Sequence, residues 1–211
     1  MKETGQPRIW TTRTFDRLSR YYDRFMQIFF PIGEKGRIHI VEKLGTGSIL
    51  DVACGTGTLL AMAAEKGLDC YGIDLSQGML DQARMKVPGG EFKQASYYEI
   101  PYPDGSFDHV VETNAVGGVF IDARKVMTEM IRVCKKGGWV YLADWQAAPK
   151  DNLMERLVVK FASLSEDAPK DYLGIFKELG YEPEVDVLGK RYHVFGVMKK
   201  EHASSRGEMT G

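Results

Sequence analysis

The sequence predicts one α/β domain built on a mostly parallel, seven-stranded sheet. Strand-like and helix-like patterns alternate from about residue 48 to residue 145, which indicates right-handed crossovers between parallel strands. A glycine-rich turn follows the first of these strands. Two β-rich runs near the C-terminus are separated by Gly189-Lys190-Arg191, which predicts an antiparallel hairpin at the end of the sheet.

The individual elements follow from hydrophobic spacing and turn residues. Strands are expected near 48–52, 69–74, 91–95, 107–112 and 138–144, and helices near 57–66, 76–86 and 120–135. Further along, helical spacing covers 152–164, a helix is expected near 170–179, and the hairpin strands span 181–188 and 192–198. Thr56 and Ser76 are expected to cap the first two of the central helices.

Length and composition are those of an ordinary globular protein. The chain has 211 residues, of which 44% are hydrophobic and 27% charged, and its formal net charge of −1 gives no general attraction to nucleic acid. No apolar run approaches the ~18–20 residues of a membrane span, and the N-terminus has no signal-peptide pattern. The cysteine spacing fits neither disulfides nor a metal site. We therefore expect a cytoplasmic protein, with one domain over 1–199, a flexible tail over 200–211 and no metal.

The loop after the first strand is the most informative segment. Gly55 and Gly57 would let a ligand lie against bare backbone, and the N–H groups of the next helix point into the same space. No Lys-Ser or Lys-Thr follows these glycines, and Leu60 stands where a dinucleotide fingerprint has its third glycine. Asp51 precedes the loop and suits a cationic ammonium group better than a pyrophosphate.

A second acid ends the next predicted strand. Asp74 lies 17 residues after Gly57, close to the roughly 20-residue offset of a ribose-binding carboxylate. A carboxylate accepts two hydrogen bonds at once and can therefore hold both ribose hydroxyls. Leu75 and Met79 come next and could supply apolar contact to an adenine ring.

Four motifs in order resemble those of the class I S-adenosylmethionine-dependent methyltransferases, small single-domain enzymes in particular. Ile49–Gly57 resembles the methionine-binding glycine loop and Tyr71–Leu75 the ribose motif. Ile100–Asp108 is similar to the segment before the fourth strand, and Ile131–Gly138 to the turn before the fifth. The resemblance covers roughly residues 12–199 and implies a Rossmann-like fold with S-adenosylmethionine as the cofactor.

The resemblance also implies which residues form the cofactor site. The methionine end would be held by Asp51, Ala53, Cys54, Gly55 and Gly57, the ribose by Asp74, and the rest of the site formed by Leu75, Met79, Ser96, Tyr97 and Glu112. Ala53 stands where the family usually has glycine, and Ser96 where it often has an adenine-binding aspartate.

Candidate catalytic and substrate residues lie after the fourth and fifth strands. Methyl transfer from a sulfonium mainly requires alignment and exclusion of water, so a base is needed only for an acceptor that must lose a proton. Glu112 and Asp144 are the base candidates and otherwise polar residues at the rim, and Asn114 and Trp145 would face the substrate. The motif of nucleic-acid amino methyltransferases is absent after the fourth strand. We therefore expect a small-molecule or lipid-like acceptor and not a nucleic acid.

The N-terminal segment predicts an amphipathic helix over about 12–30. Its basic stripe consists of Arg13, Arg17, Arg20 and Arg24, and the apolar side of Phe15, Leu18, Tyr22, Phe25, Met26 and Phe29. The stripe is either a solvated face or a contact with an anionic surface such as a membrane. Tyr21-Tyr22-Asp23 resembles the Y-D segment of quinone-biosynthesis and phospholipid methyltransferases, which implies a helical lid over 12–45. Tyr21 or Tyr22 would then close the pocket, unless they are core residues.

Two other functions remain open at the level of sequence. A methyltransferase fold could be retained as a non-catalytic binding or regulatory protein, which Ala53 and Ser96 allow. A nicotinamide oxidoreductase is disfavoured by Leu60 and by the terminal hairpin. The acceptor and the oligomeric state are not predicted.

Overall fold

The computed structural model describes residues 12–29, 31–117, 121–145, 170–188 and 192–199. The helices are α1 (Thr12–Phe29), α2 (Pro31–Lys43), α3 (Thr58–Glu65), α4 (Gln77–Lys86), α5 (Ala123–Val133) and α6 (Tyr172–Glu178). The strands are β1 (Ser48–Val52), β2 (Asp69–Asp74), β3 (Glu91–Gln94), β4 (Phe107–Thr113), β5 (Cys134–Trp145), β6 (Glu184–Val187) and β7 (Tyr192–Met198). No helix within these ranges is both long and apolar enough to cross a membrane.

The strands form one seven-stranded sheet in the order β3-β2-β1-β4-β5-β7-β6. The pairs among β1 to β5 are parallel, whereas β7 runs antiparallel to both β5 and β6. This confirms the predicted sheet with its terminal hairpin. The strand order reverses at β1, which has β2 on one side and β4 on the other. Ligands of such sheets bind beyond the carboxyl ends of the strands at this reversal.

Two apolar clusters cover the two faces of the sheet. Ile49 and Val111 belong to the cluster on the side of α2 and α3, and Leu50 and Val110 to the cluster on the side of α5 and α6. Neighbouring side chains of a strand thus point to opposite faces. Residues at the carboxyl ends of β1 and β4 therefore extend into the space between the sheet and one or the other helical layer.

Most predicted elements are present, with different boundaries. The largest difference is β5, which begins at Cys134 and not near residue 138, because the chain stays paired with β4 across a register irregularity between Phe107 and His109. The first hairpin strand is limited to Glu184–Val187. The helix predicted over 152–164, the hairpin turn at 189–191 and the tail over 200–211 lie outside the described residues.

One of the two predicted helix caps is wrong. α3 begins after Gly57, which makes no side-chain capping bond, and the Thr56 hydroxyl instead donates to an Asp23 carboxylate oxygen at 2.5 Å. The Ser76 cap is confirmed, since its Oγ accepts a hydrogen bond from the backbone N–H of Met79 at 3.2 Å.

Two carboxylates hold α1 against the rest of the protein. Asp16 accepts hydrogen bonds from the Ser76 hydroxyl at 2.6 Å and from the Gly78 N–H at 2.9 Å, at the start of α4. Asp23, about two turns later in α1, pairs with Lys86 at the end of α4 at 2.5 Å. The N-terminal helix is thus fixed at both ends of α4, beside the loop that follows β1.

Candidate cofactor site

The loop between β1 and α3 turns through three left-handed residues. Ala53 has a φ of 61°, Gly55 of 52° and Gly57 of 75°. The backbone N–H of Cys54 donates to the Ile73 carbonyl at 2.9 Å, which ties the loop to β2. Ala53 is the one member of the three that carries a Cβ, and this conformation is strained for it.

The glycines of this loop have different tasks. A Cβ on Gly55 would meet nothing within 4 Å, so this position faces open space, as expected for close approach of a ligand. A Cβ on Gly57 would lie 2.9 Å from the Cβ of Ala83, so Gly57 allows α4 to pack closely. The side chain of Cys54 is buried beside Gly72 and contributes to the core.

Asp74 supports the loop from the end of β2. One carboxylate oxygen accepts from the Gly55 N–H at 2.9 Å and the other from the Ser76 N–H at 2.8 Å. Burial raises the pKa of Asp74, and these backbone hydrogen bonds partly offset the effect. A carboxylate has about four acceptor positions, so acceptor capacity for ribose hydroxyls remains.

Asp51 lies at the end of β1, on the face covered by α2 and α3. It is 3% exposed, and burial raises its pKa to about 8, although the positive charge of Arg37 acts in the opposite direction. Arg37 comes from α2, and its Nε atom is buried without a hydrogen-bond partner. Sequence reasoning missed Arg37 because α2 carries no recognisable motif and little amphipathic pattern.

The two tyrosines of α1 point in different directions. Tyr22 is largely buried, and burial raises the pKa of its hydroxyl group. The positive charge of Arg37 lowers this pKa, whereas the negative charge of Asp74 raises it further. Tyr22 is therefore close enough to Arg37 and to Asp74 for both charges to affect its hydroxyl group. Tyr21 is 70% exposed on the outer side of the helix.

Residues from the ends of β4 and β5 form an acidic pair on the opposite face of the sheet. Glu112 is fully buried; one carboxylate oxygen accepts from the Ala115 N–H and the other, Oε2, has no partner. Burial, reinforced by the charge of Asp144, raises the pKa of Glu112 well above its usual range. Asp144 accepts hydrogen bonds from the Tyr172 hydroxyl at 2.5 Å and from the Trp145 N–H at 2.7 Å.

Asn114 and Trp145 lie at the rim beside this pair. Asn114 has a φ of 63°, and its Oδ1 is buried without a partner. Trp145 is 41% exposed and meets the ring of Tyr192 edge to face at 5.6 Å.

The expected adenine residues follow β2 and β3, which are neighbours. The Ala95 N–H donates to the Asp74 carbonyl at 3.1 Å, which brings the segment of Ser96 and Tyr97 next to the end of β2. Leu75, which directly follows Asp74, is half-buried. Met79 is only 3% exposed and therefore contributes mainly to packing.

Unsatisfied polar atoms gather at the carboxyl edge of the sheet. Of the five buried side-chain atoms without a hydrogen-bond partner in the described part of the chain, two are the ring nitrogens of His109, and the other three lie at this edge, namely Arg37 Nε, Glu112 Oε2 and Asn114 Oδ1. Such atoms cost free energy unless a ligand or water satisfies them. Together with Asp51, Asp74 and the open position at Gly55, they fit a ligand that carries an amino-acid group and a ribose, as S-adenosylmethionine does.

Comparison with known proteins identifies the family. Residues 50–142, which run from β1 through β5, match the family model described as a methyltransferase domain. A phosphatidylethanolamine N-methyltransferase of Cereibacter sphaeroides is 33% identical over 69% of this chain and 77% of that protein. The chain belongs to the class I S-adenosylmethionine-dependent methyltransferases. It is therefore a methyltransferase whose cofactor is S-adenosylmethionine.

Other methyltransferases resemble it over longer or similar ranges. A demethylmenaquinone methyltransferase of Clavibacter sepedonicus is 26% identical over 95% of this chain and 86% of that protein. The geranyl diphosphate C-methyltransferase of Streptomyces coelicolor, solved with S-adenosyl-L-homocysteine, has the same fold with a TM-score of 0.68. It is 14% identical, and the match covers 79% of each chain.

Proposed function

We propose that this methyltransferase transfers the methyl group directly to a small lipid-like acceptor. Two relatives bear the names of enzymes acting on demethylmenaquinone and on phosphatidylethanolamine, both of which are lipids. The similarity to the second of these, at 33% identity over most of both chains, is the observation that carries the proposal.

The cofactor supplies a methyl group on a positively charged sulfur, which is already activated for displacement. We assign the ammonium group to Asp51, the ribose hydroxyls to Asp74 and the closest backbone approach to Gly55. Leu75, Ser96 and Tyr97 would surround the adenine. The protein's contribution to catalysis is then orientation of the acceptor and exclusion of water, for which Tyr22, Asn114 and Trp145 are placed at the rim.

For an acceptor that must lose a proton, Glu112 is a better candidate base than Asp144. Both oxygens of Asp144 accept hydrogen bonds, whereas Glu112 Oε2 has none. Burial and the charge of Asp144 raise the pKa of Glu112, which makes its carboxylate a stronger base than an exposed one. Replacing Glu112 by Gln should lower the turnover rate and leave the affinity for S-adenosylhomocysteine nearly unchanged. Loss of that affinity would instead assign Glu112 to the cofactor site.

Methyl transfer itself is tested with S-adenosylmethionine labelled in the methyl group. We would incubate the enzyme with vesicles containing phosphatidylethanolamine, with demethylmenaquinone in the same vesicles, and with water-soluble amines and phenols. Label recovered in the organic extract supports a lipid-like acceptor. Label found only in a water-soluble acceptor would reject it.

The outer surface of α1 supports contact between this enzyme and a membrane. Leu18, Tyr21, Phe25 and Ile28 are 45%, 70%, 41% and 62% exposed, at helical spacing. Leu18 and Phe25 belong to the apolar side predicted from the sequence but are exposed, because the side that packs on the protein carries Asp16, Ser19, Tyr22 and Asp23. Next to the exposed apolar row lie Arg13, Arg17, Arg20 and Arg24, all exposed.

An apolar row beside a row of arginines is the pattern of a helix that lies in the interface of an anionic bilayer. We propose that α1 binds such a surface and so brings the cofactor site close to a lipid-like acceptor. The expected result is co-sedimentation with phosphatidylglycerol vesicles that falls when Arg20 and Arg24 are both replaced by Glu. Replacing Arg124 and Lys125 of α5 by Glu removes the same charge elsewhere and should have little effect. Equal losses in the two variants would contradict the proposal.

A further inference from the structure

Arg37 brings a half-buried positive charge to the cofactor site from α2, and its Nε atom is itself buried. Its Nε has no hydrogen-bond partner, and no salt bridge joins Arg37 to a carboxylate within the described ranges. Its Nη1 lies 3.7 Å from the position that a Cβ on Gly33 would occupy, and the Asn114 amide nitrogen lies 3.4 Å from the same position. A guanidinium left in this state has donors that a ligand could satisfy.

The Arg37 charge acts on the carboxyl group of Asp51 at the end of β1. Both residues lie on the face of the sheet covered by α2 and α3, because Asp51 alternates with Leu50 and Val52, which point to the other face. The positive charge of Arg37 opposes the rise in the pKa of Asp51, yet the two side chains do not form an ion pair. A half-buried guanidinium and a buried carboxyl group that are not paired with each other match a ligand that carries a carboxylate and an ammonium group.

We infer that Arg37 binds the α-carboxylate of the cofactor's methionine part while Asp51 receives its ammonium group. This inference rests on the proposed cofactor site. A guanidinium presents two parallel N–H donors to a carboxylate, and such charge-assisted pairs are stronger than neutral hydrogen bonds. The amino-acid end would thus be held between the end of β1 and helix α2, on the side opposite the ribose.

Arg37 could alternatively act only as a counter-charge that keeps the buried acids in place. The two roles differ in which part of the ligand Arg37 senses. A residue that binds the carboxylate affects only ligands that contain it, whereas a purely structural residue affects every ligand of the site. 5′-Methylthioadenosine is the suitable probe, since it contains the nucleoside and lacks the amino-acid group.

The experiment is isothermal titration of the full chain with S-adenosylhomocysteine and with methylthioadenosine. Replacing Arg37 by Leu should weaken S-adenosylhomocysteine binding about 10- to 100-fold, as expected for a charged hydrogen bond, and leave methylthioadenosine binding unchanged. Replacing Arg37 by Lys should cause a smaller loss for the first ligand alone. Replacing Lys35, an exposed residue of the same helix, by Leu is the control and should change neither affinity.

The wild-type protein provides a test that does not depend on a variant's folding. Decarboxylated S-adenosylmethionine should bind about 10- to 100-fold more weakly than S-adenosylmethionine. Equal binding of these two ligands, or equal losses for both probes in the Arg37 variants, overturns the inference while the proposed cofactor site stands. Failure of the wild-type protein to bind any of these nucleosides rejects the cofactor site itself and the inference with it.

Discussion

Buried acids distinguish this site at the level of single residues. Burial raises the pKa of Asp51, Asp74 and Glu112. The charge of Asp74 also raises the pKa of Asp51, and the charge of Asp51 raises the pKa of Glu112. Holding several carboxylates in a small apolar volume is unfavourable for their ionised forms. A ligand with an ammonium group and hydrogen-bond donors relieves this cost, so binding and ionisation should be coupled.

Cofactor binding should therefore release protons from Asp51. The free carboxyl has a pKa of about 8 and is mostly protonated at pH 7, whereas a bound ammonium group favours the carboxylate. Titration with S-adenosylhomocysteine at pH 7 should show release of about one proton, measured in buffers of different ionisation enthalpy, and affinity should rise from about pH 6 to pH 7.5. Replacing Asp51 by Asn should remove the release. Identical heats in all buffers for the wild-type protein would contradict this prediction.

The strained conformation of Ala53 leads to a prediction about stability. A left-handed L-residue costs about 1–2 kcal/mol, while glycine costs about 0.4–1 kcal/mol through the entropy of the unfolded chain. Replacing Ala53 by Gly should thus raise the free energy of unfolding by up to about 1 kcal/mol, measured by urea denaturation. Replacing Ala63, inside α3, by Gly should lower it. A loss of similar size in both variants would show that Ala53 is not strained.

At the level of elements, amphipathic spacing predicts that α1 exists but not which side is buried. The apolar residues cover nearly half of its circumference, so either edge of that surface could have packed. The side of α1 that packs is determined by Asp16 and Asp23, whose partners lie at α4 and in the loop before α3. Such partners are distant in sequence, and no local pattern reveals them.

The contact between α1 and α4 depends on Gly78. A Cβ there would lie 2.7 Å from the carbonyl oxygen and 2.8 Å from the Cα of Asp16. Replacing Gly78 by Ala should displace α1 even though alanine is the better helix former, at a cost of about 1–3 kcal/mol. Amide hydrogen exchange over residues 12–29 should become faster. Replacing Gly89 by Ala, where a Cβ would meet nothing within 4 Å, is the control.

Unchanged exchange in the Gly78 variant would mean that α1 can shift without losing its attachment. In that case the two carboxylate contacts, and not close helix packing, would hold the N-terminal helix in place.

For the whole molecule, the sheet and its terminal hairpin could be predicted because strand and helix patterns alternate strictly. The positions of Asp51 and Asp74 could be predicted because each lies at the carboxyl end of a strand, and parallel strands end at a common edge. Arg37 could not, since its role depends on how α2 packs over the end of β1. The separate tasks of Gly55 and Gly57 also require the position of α4.

The central claim is that the carboxyl edge of the sheet binds S-adenosylmethionine through these residues. Isothermal titration of the folded chain with S-adenosylhomocysteine tests it most directly, with NADH as the comparison ligand. We expect a single site with micromolar or tighter affinity for S-adenosylhomocysteine and no binding of NADH. Absence of S-adenosylhomocysteine binding at high micromolar concentration, with the protein shown to be folded, would contradict it.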